Sequence, residues 1–157
     1  MIKNAKSLFD LLDTFFIPHG FVRKKDTYYL NTEECICFFS IDKSGNSSGF
    51  FSNVMGCFVK ALMEEQNAFP SYYKNHVRYN IDQFIGKKKI REIFSLENDI
   101  FKDDEREKQI KKVIEKYALP FLSDLTSEAK IAAATKKYGN LIHFIVGDAT
   151  TYLEIGL

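Results

Sequence analysis

Between residues 21 and 84 the chain passes through successive strand-like runs joined by short loops, and this restricts the fold more than any other feature. Residues 35–42 read Cys-Ile-Cys-Phe-Phe-Ser-Ile-Asp, the centre of a strand expected over 34–43. Before it lies a run over 21–31, rich in aromatic and basic residues. The link Asn31-Thr32-Glu33 is short enough for an antiparallel hairpin. Ser44 to Gly49, rich in serine, glycine and asparagine, is the clearest loop in the chain. A third strand is expected from Phe50 to about Leu62, with Gly56 marking a bulge or a close backbone approach. A fourth is expected from Asn75 to Phe84, where His76, Arg78 and Asn80 alternate with Val77, Tyr79 and Ile81. Four such strands form a meander, and one face of such a sheet needs a cover.

Helices on either side supply that cover. Leu8, Leu11, Leu12, Phe15 and Phe16 form one apolar stripe at helical spacing, with Asn4 or Ser7 as cap and Pro18-His19-Gly20 as stop. The polar stretch 86–104 holds Ile90, Ile93 and Phe94, enough for a short helix or turn. Asp104 and Glu107 have capping-box spacing ahead of the strongest helical stripe, which runs from Ile110 through Ile114 and Phe121 to Leu125. Pro120 predicts a kink or a split in it. Thr126 or Ser127 can cap a further helix through Tyr138, closed by Gly139. Residues 141–146 fit a strand or a buried helix, and periodicity does not decide between them. Asp148 caps a last helix, or Gly147-Asp148 turns a hairpin; the apolar end at Leu157 is either tied into the core or a truncation. The expectation is one α+β domain over residues 1–157. An antiparallel sheet of about four strands carries an N-terminal helix and C-terminal helices on one face and leaves a charged, tyrosine-bearing face open.

Composition bounds the function classes. With 157 residues, 45% of them apolar and 15% aromatic, the chain can bury a core without disulfide or metal staples and is not a disordered one. A formal charge of +1, from 22 basic and 21 acidic residues, gives no global reason to expect nucleic acid or an anionic membrane. No apolar run approaches the length of a membrane span and no signal-like segment follows Met1, so a cytoplasmic protein is expected. Cys35, Cys37 and Cys57, odd in number and without framework spacing, read as small buried hydrophobes. His19, His76 and His143 are too scattered to complete a zinc site with them. No metal and no cofactor is expected.

The first half also carries a recognisable succession: Gly20-Phe21-Val22-Arg23-Lys24-Lys25, then Thr27-Tyr28-Tyr29, Ile41-Asp42-Lys43-Ser44 and Gly49-Phe50-Phe51-Ser52-Asn53-Val54. It resembles a bacterial domain-of-unknown-function family with the order Gly-Phe-x-Arg-Lys, Phe/Tyr-Tyr, Gln-Lys-Ser and Phe-x-Val-Asn. Asp42 stands where glutamine is commoner, and Ser52-Asn53-Val54 departs from the Val-Asn order. The match spans residues 5–80, with Arg78 as its last element. The resemblance implies an α+β fold and no activity. Small bacterial α+β domains of this kind often look like immunity proteins of toxin systems, an analogy of fold alone.

Four groups of residues could carry function. Arg23, Lys25 and Tyr29, with Lys24 and Tyr28 alternating, form either an acid- or phosphate-binding strip or a solvated strand whose lysines discourage edge pairing. His76, Arg78 and Asn80 line one face of the fourth strand, as a polar binding concavity or as a structural ion pair of Arg78 with Asp42 across the sheet. An acid–base site there lacks a second histidine or carboxylate beside it. Lys87-Lys88-Lys89-Ile90-Arg91 could grip phosphates, but the acidic stretch after it favours a solvated loop. Phe50, Phe51, Phe69, Tyr72 and Tyr73 surround Pro70 as core, or as an interface if 69–73 is a surface loop. No dinucleotide, P-loop, zinc-protease or nucleophile-elbow motif occurs.

The expectation is therefore a non-catalytic binding or protein-interaction domain. It would act through the polar sheet face, with Arg23, Lys25, Tyr29, Asp42, His76 and Arg78 as contact residues and a protein as partner. The alternative is a small-ligand protein or enzyme with one pocket over the sheet, Arg78 holding an anion and His76 acting as acid or base. Nucleic-acid binding ranks third, because it needs Lys24, Lys25 and residues 87–91 on one surface.

Overall fold

The computed structural model describes residues 2, 4–43, 50–96 and 99–156. The loop expected over Ser44–Gly49 lies outside them, as does Leu157. The stripe of leucines and phenylalanines near the N-terminus forms α1 (Ala5–Phe16), opened by a reciprocal capping box between Asn4 and Ser7. A 3-10 turn over Ile17–His19 follows, and Gly20, at φ 90°, takes the left-handed conformation that ends it.

The strands are β1 (Val22–Lys24), β2 (Thr27–Asn31), β3 (Cys35–Lys43), β4 (Phe51–Val59) and β5 (Val77–Asn80). They form a five-stranded antiparallel meander in sequence order. The fold is α+β as expected, with five strands in place of about four. The extra strand arises because residues 21–31 are not one strand. Lys25 and Asp26 make a two-residue turn, with Lys25 at φ 55°, and fold the run back on itself. That turn lacks the Asn-Gly or Asp-Gly pair that usually marks such a hairpin. The expected alternation of Arg23, Lys25, Thr27 and Tyr29 along one face therefore does not exist. Arg23 pairs with Tyr28, and Lys24 with Thr27.

Gly56 marks a close backbone approach. A Cβ built there would lie 1.8 Å from the Val77 carbonyl oxygen, so only glycine permits this β4–β5 pairing.

The C-terminal part contributes α2 (Asp82–Ile85), α3 (Lys87–Phe94), α4 (Asp103–Val113), α5 (Leu119–Ser123), α6 (Glu128–Lys137) and α7 (Gly147–Tyr152). The basic run expected in a loop is the first turn of α3. The Asp104/Glu107 capping box does not form, because the helix begins two residues earlier and Lys102 is its cap residue. Before Pro120 the regular α-helix is interrupted, though the chain stays helical. The chain widens into a π turn over Ile114–Ala118 just before it, then continues as α5. Ser127 caps α6 through the Lys130 amide. The apolar run 141–146 forms a 3-10 turn over Leu141–Phe144 and one bridge from Ile145 to Val77. Buried Arg106 satisfies the end of α3 by donating to the Glu92 and Ile93 carbonyls at 3.0 and 2.6 Å.

Alternation divides the sheet into two faces. Tyr28, Cys37, Phe39, Met55, Cys57 and Tyr79 point to one, where α1 and the C-terminal helices bury them in the main core. Phe16 stacks on Tyr28 at 4.6 Å, and Tyr79 on Phe121 at 5.0 Å. The opposite face was expected to be polar and open. It instead carries a second buried cluster of Tyr29, Ile36, Phe38, Val54 and Phe58. Beside this cluster lies the strap, residues 60–76 joining β4 to β5. The strap is tied down by Lys60 Nζ donating to Asn31 Oδ1 and the Thr32 carbonyl, by Tyr29 Oη donating to the Pro70 carbonyl at 2.8 Å, and by Phe69 edge-on to Tyr29.

Candidate functional site

One cavity opens at the strap-side face of the sheet and another at the sheet edge where β5 ends. The larger, of about 500 Å³, lies between the strap and the end of β4. Phe58 and Met63 form its apolar wall; Glu64, Lys74, His76 and Asp148 form its polar one. The smaller, of about 230 Å³, lies where β5 ends and leaves the first residues of β4 without a neighbour on that side. Asp42, Ser52, Asn53, Arg78, Asp82 and Arg91 border it.

His76 precedes β5 and is held by backbone bonds in both directions. Its amide donates to the Cys57 carbonyl, and its carbonyl accepts from Val146. The Val59 amide donates to His76 Nδ1 at 2.8 Å, so that nitrogen is an acceptor and the ring is neutral, with its proton on Nε2. Burial lowers the pKa below the ordinary 6.5, and the Asp148 charge opposes this only in part. Phe58 meets the ring edge-on at 6.2 Å. An imidazole whose Nδ1 is engaged and whose protonated form is disfavoured is a positioned hydrogen-bond donor at neutral pH.

Arg23 lies on the other face. Its Nε sits 3.0 Å from Asp13 Oδ1, and its guanidinium lies 5.0 Å from the Phe9 ring centroid, which fastens β1 to α1. Tyr28 donates to the same Asp13 oxygen at 2.6 Å; burial, then that bond, raises its pKa far above the usual phenol range. Lys25 is exposed in the hairpin turn. Tyr29 is buried beside the strap.

Asp42 and Arg78 both border the smaller cavity but are not cross-strand neighbours, since β4 separates β3 from β5. The expected single surface through Arg23 and Arg78 is not formed. They sit on the two edge strands and on opposite faces of the sheet. Nor does one pocket hold both His76 and Arg78, which border different cavities. Lys24 and Lys25 belong to the β1 edge, whereas Lys87–Arg91 follow the β5 edge, so the basic residues needed for a nucleic-acid surface are also separated.

All three thiols are buried and free. Burial pushes the Cys37 and Cys57 thiols well above their ordinary value, which keeps them protonated and unreactive. Among the described residues no cluster of three or more histidine, cysteine or acidic side chains could hold a metal ion, and no helix is long and apolar enough to cross a membrane.

Sequence reasoning missed the acidic residues around His76 and the pair Asn53 and Asp82. Glu64 and Asp148 are 84 positions apart in the numbering and meet only because the strap and α7 close on the same end of the sheet. Asn53 had a signal of its own, a polar residue at an inward-facing position of a buried strand.

A family model described as Domain of unknown function (DUF4304) matches residues 12–124. No curated protein and no solved structure matches the chain.

Proposed function

The chain belongs to the DUF4304 family, and we propose that it is a non-catalytic protein-interaction domain whose recognition surface is the strap and the cavity beneath it. The carrying observation is the make-up of the strap. Tyr73 is 71% exposed and Phe69 36% exposed, and each is the sequence neighbour of a residue, Lys74 and Pro70, that lines a cavity with one apolar and one charged wall. Exposed aromatic side chains next to a partly apolar concavity suit a protein partner, because they add contact area at little conformational cost. The state of His76 supports binding over catalysis. Its Nδ1 is already bonded to Val59, so the ring lacks the open acceptor that a general base needs. Tyr29 supports the strap from below, and His76 serves as a donor inside the cavity. An immunity-like role, in which the domain occupies and silences a protein partner, is the form of this reading that the fold analogy favours.

Site-specific photo-crosslinking in the native cell tests it. A crosslinker at Tyr73 should yield one discrete adduct, and a crosslinker at Lys111 on α4 should not. The purified partner should then bind the wild-type chain and lose at least about tenfold in affinity to Tyr73→Ala. Equal labelling from both positions, or unchanged affinity of a folded Tyr73→Ala variant, would refute the proposal.

A further inference from the structure

The smaller cavity carries an inference independent of the strap. Asn53 is 4% exposed, and its side-chain amide donates to the Phe51 carbonyl at 3.3 Å, but its Oδ1 accepts nothing among the described residues. Asp82 Oδ1 is likewise buried and without a donor among the described residues. Both residues border the same space. A buried acceptor without a donor is costly, and two bordering one cavity point to an occupant rich in N–H or O–H groups. The same cavity is bordered by the cations Arg78, Lys87 and Arg91 and by the carboxylates Asp42 and Asp82, a lining of mixed charge that suits an occupant carrying a negative group toward Lys87 and Arg91 and a positive one toward Asp82. The Arg91 guanidinium lies 4.9 Å from the Phe50 ring centroid, a contact that places it at the cavity, and a guanidinium is the side chain best shaped to hold a carboxylate. Val54 and Ile90 add apolar wall between the two sets of polar groups.

From this arrangement we infer that the cavity is a binding site for a small zwitterion, a free α-amino acid. Its ammonium is bonded by Asn53 and Asp82, and its carboxylate is held by Arg91 with Lys87. Each feature alone suits something else: the orphan acceptors suit water, the cations any anion. Only a ligand with both charges answers both. The volume of about 230 Å³ admits an amino acid of modest side chain and excludes a nucleotide.

Isothermal titration of the full chain with each standard amino acid in turn tests the inference. The best binder is then compared with its 2-hydroxy acid, which lacks the ammonium, and with its decarboxylated amine, which lacks the carboxylate. At least one amino acid should bind, both analogues should bind at least about tenfold more weakly, and Arg91→Gln and Asp82→Asn should each weaken binding by a similar factor. Both substitutions preserve approximate shape, and circular dichroism of each variant checks its fold. If Asp82→Asn fails that check, Arg91→Gln, on an exposed residue, carries the test. Absence of binding by every amino acid overturns the inference. So does equal binding of the 2-hydroxy acid, which would make this a plain anion site, or unchanged affinity in a folded Arg91→Gln variant.

Discussion

Phe38 and Phe39 are neighbours on β3 and equally buried, yet they lie under covers of different kinds. Phe39 lies under α1, in the large core built with the C-terminal helices, where rings pack on rings: Phe16 lies 4.8 Å from Phe39 and stacks on Tyr28. Phe38 belongs to the small strap-side cluster, held over by an irregular segment with few anchors. One face is closed by regular elements whose own backbone groups are satisfied. The other is closed by a segment that must leave polar groups and cavities at its margins. The larger cavity opens on that second face, and the smaller lies at the sheet edge where β5 ends, bordered by residues of both faces, so the helix-covered side provides stability while the strap side and that edge provide room for recognition.

Three substitutions or titrations sharpen or break that division, taken from the largest effect to the smallest. Gly56→Val places side-chain atoms where the Val77 carbonyl already sits, so β5 cannot pair and both cavities lose a wall. The expected loss is about 4 kcal/mol or more in urea unfolding, since the obstacle is backbone. A stable, fully folded Gly56→Val chain would show that β5 is not held where described.

Next come Phe39→Ala and Phe38→Ala as a pair. Both remove a fully buried ring, a change that costs about 3–5 kcal/mol in well-packed cores. Phe39→Ala should fall at the upper end, because the sheet beneath it and the helices packed over it cannot collapse into the gap. Phe38→Ala should fall at the lower end, because the strap can settle. Equal losses would mean that the strap is as rigid a cover as the helices.

The smallest effect is a pH dependence. His76 holds its proton less tightly when folded than when unfolded. Between its folded value and the ordinary 6.5, the unfolded chain therefore binds more protons. Stability is then complete above 6.5 and declines as the pH falls through that window. His76→Asn keeps an acceptor for the Val59 amide and should remove this part of the decline in thermal melts recorded across the window. An unchanged slope in the variant would place the titration elsewhere.

Much of the fold was legible in the chain because local patterns and tertiary demands agree. The α1 stripe, the hairpin at residues 31–34, the close approach at Gly56 and the Ser127 cap are each written in a few neighbouring residues. Where the reading failed, the deciding interaction was remote. The Lys25-Asp26 turn carries no strong turn chemistry; it is imposed by Arg23 and Tyr28 converging on Asp13 of α1. The strap-side face looked open because Phe38 and Phe58 are each followed or preceded by core residues, and no local pattern says that residues 60–76 return over them.

By itself, then, the sequence determined the α+β class, the antiparallel order of the first strands and the helical cover on one face, since those follow from spacing and from short links, whereas the pairing of β5 across the long strap was decided by the tertiary structure. Only the tertiary structure decided which polar residues meet. It moved Arg23 to the opposite edge and face from Arg78, parted His76 from Arg78, and brought Asn53 and Asp82 to one cavity. Those encounters depend on how the strap and the short β5 end against the sheet, and chain ends of elements are set by packing rather than by periodicity.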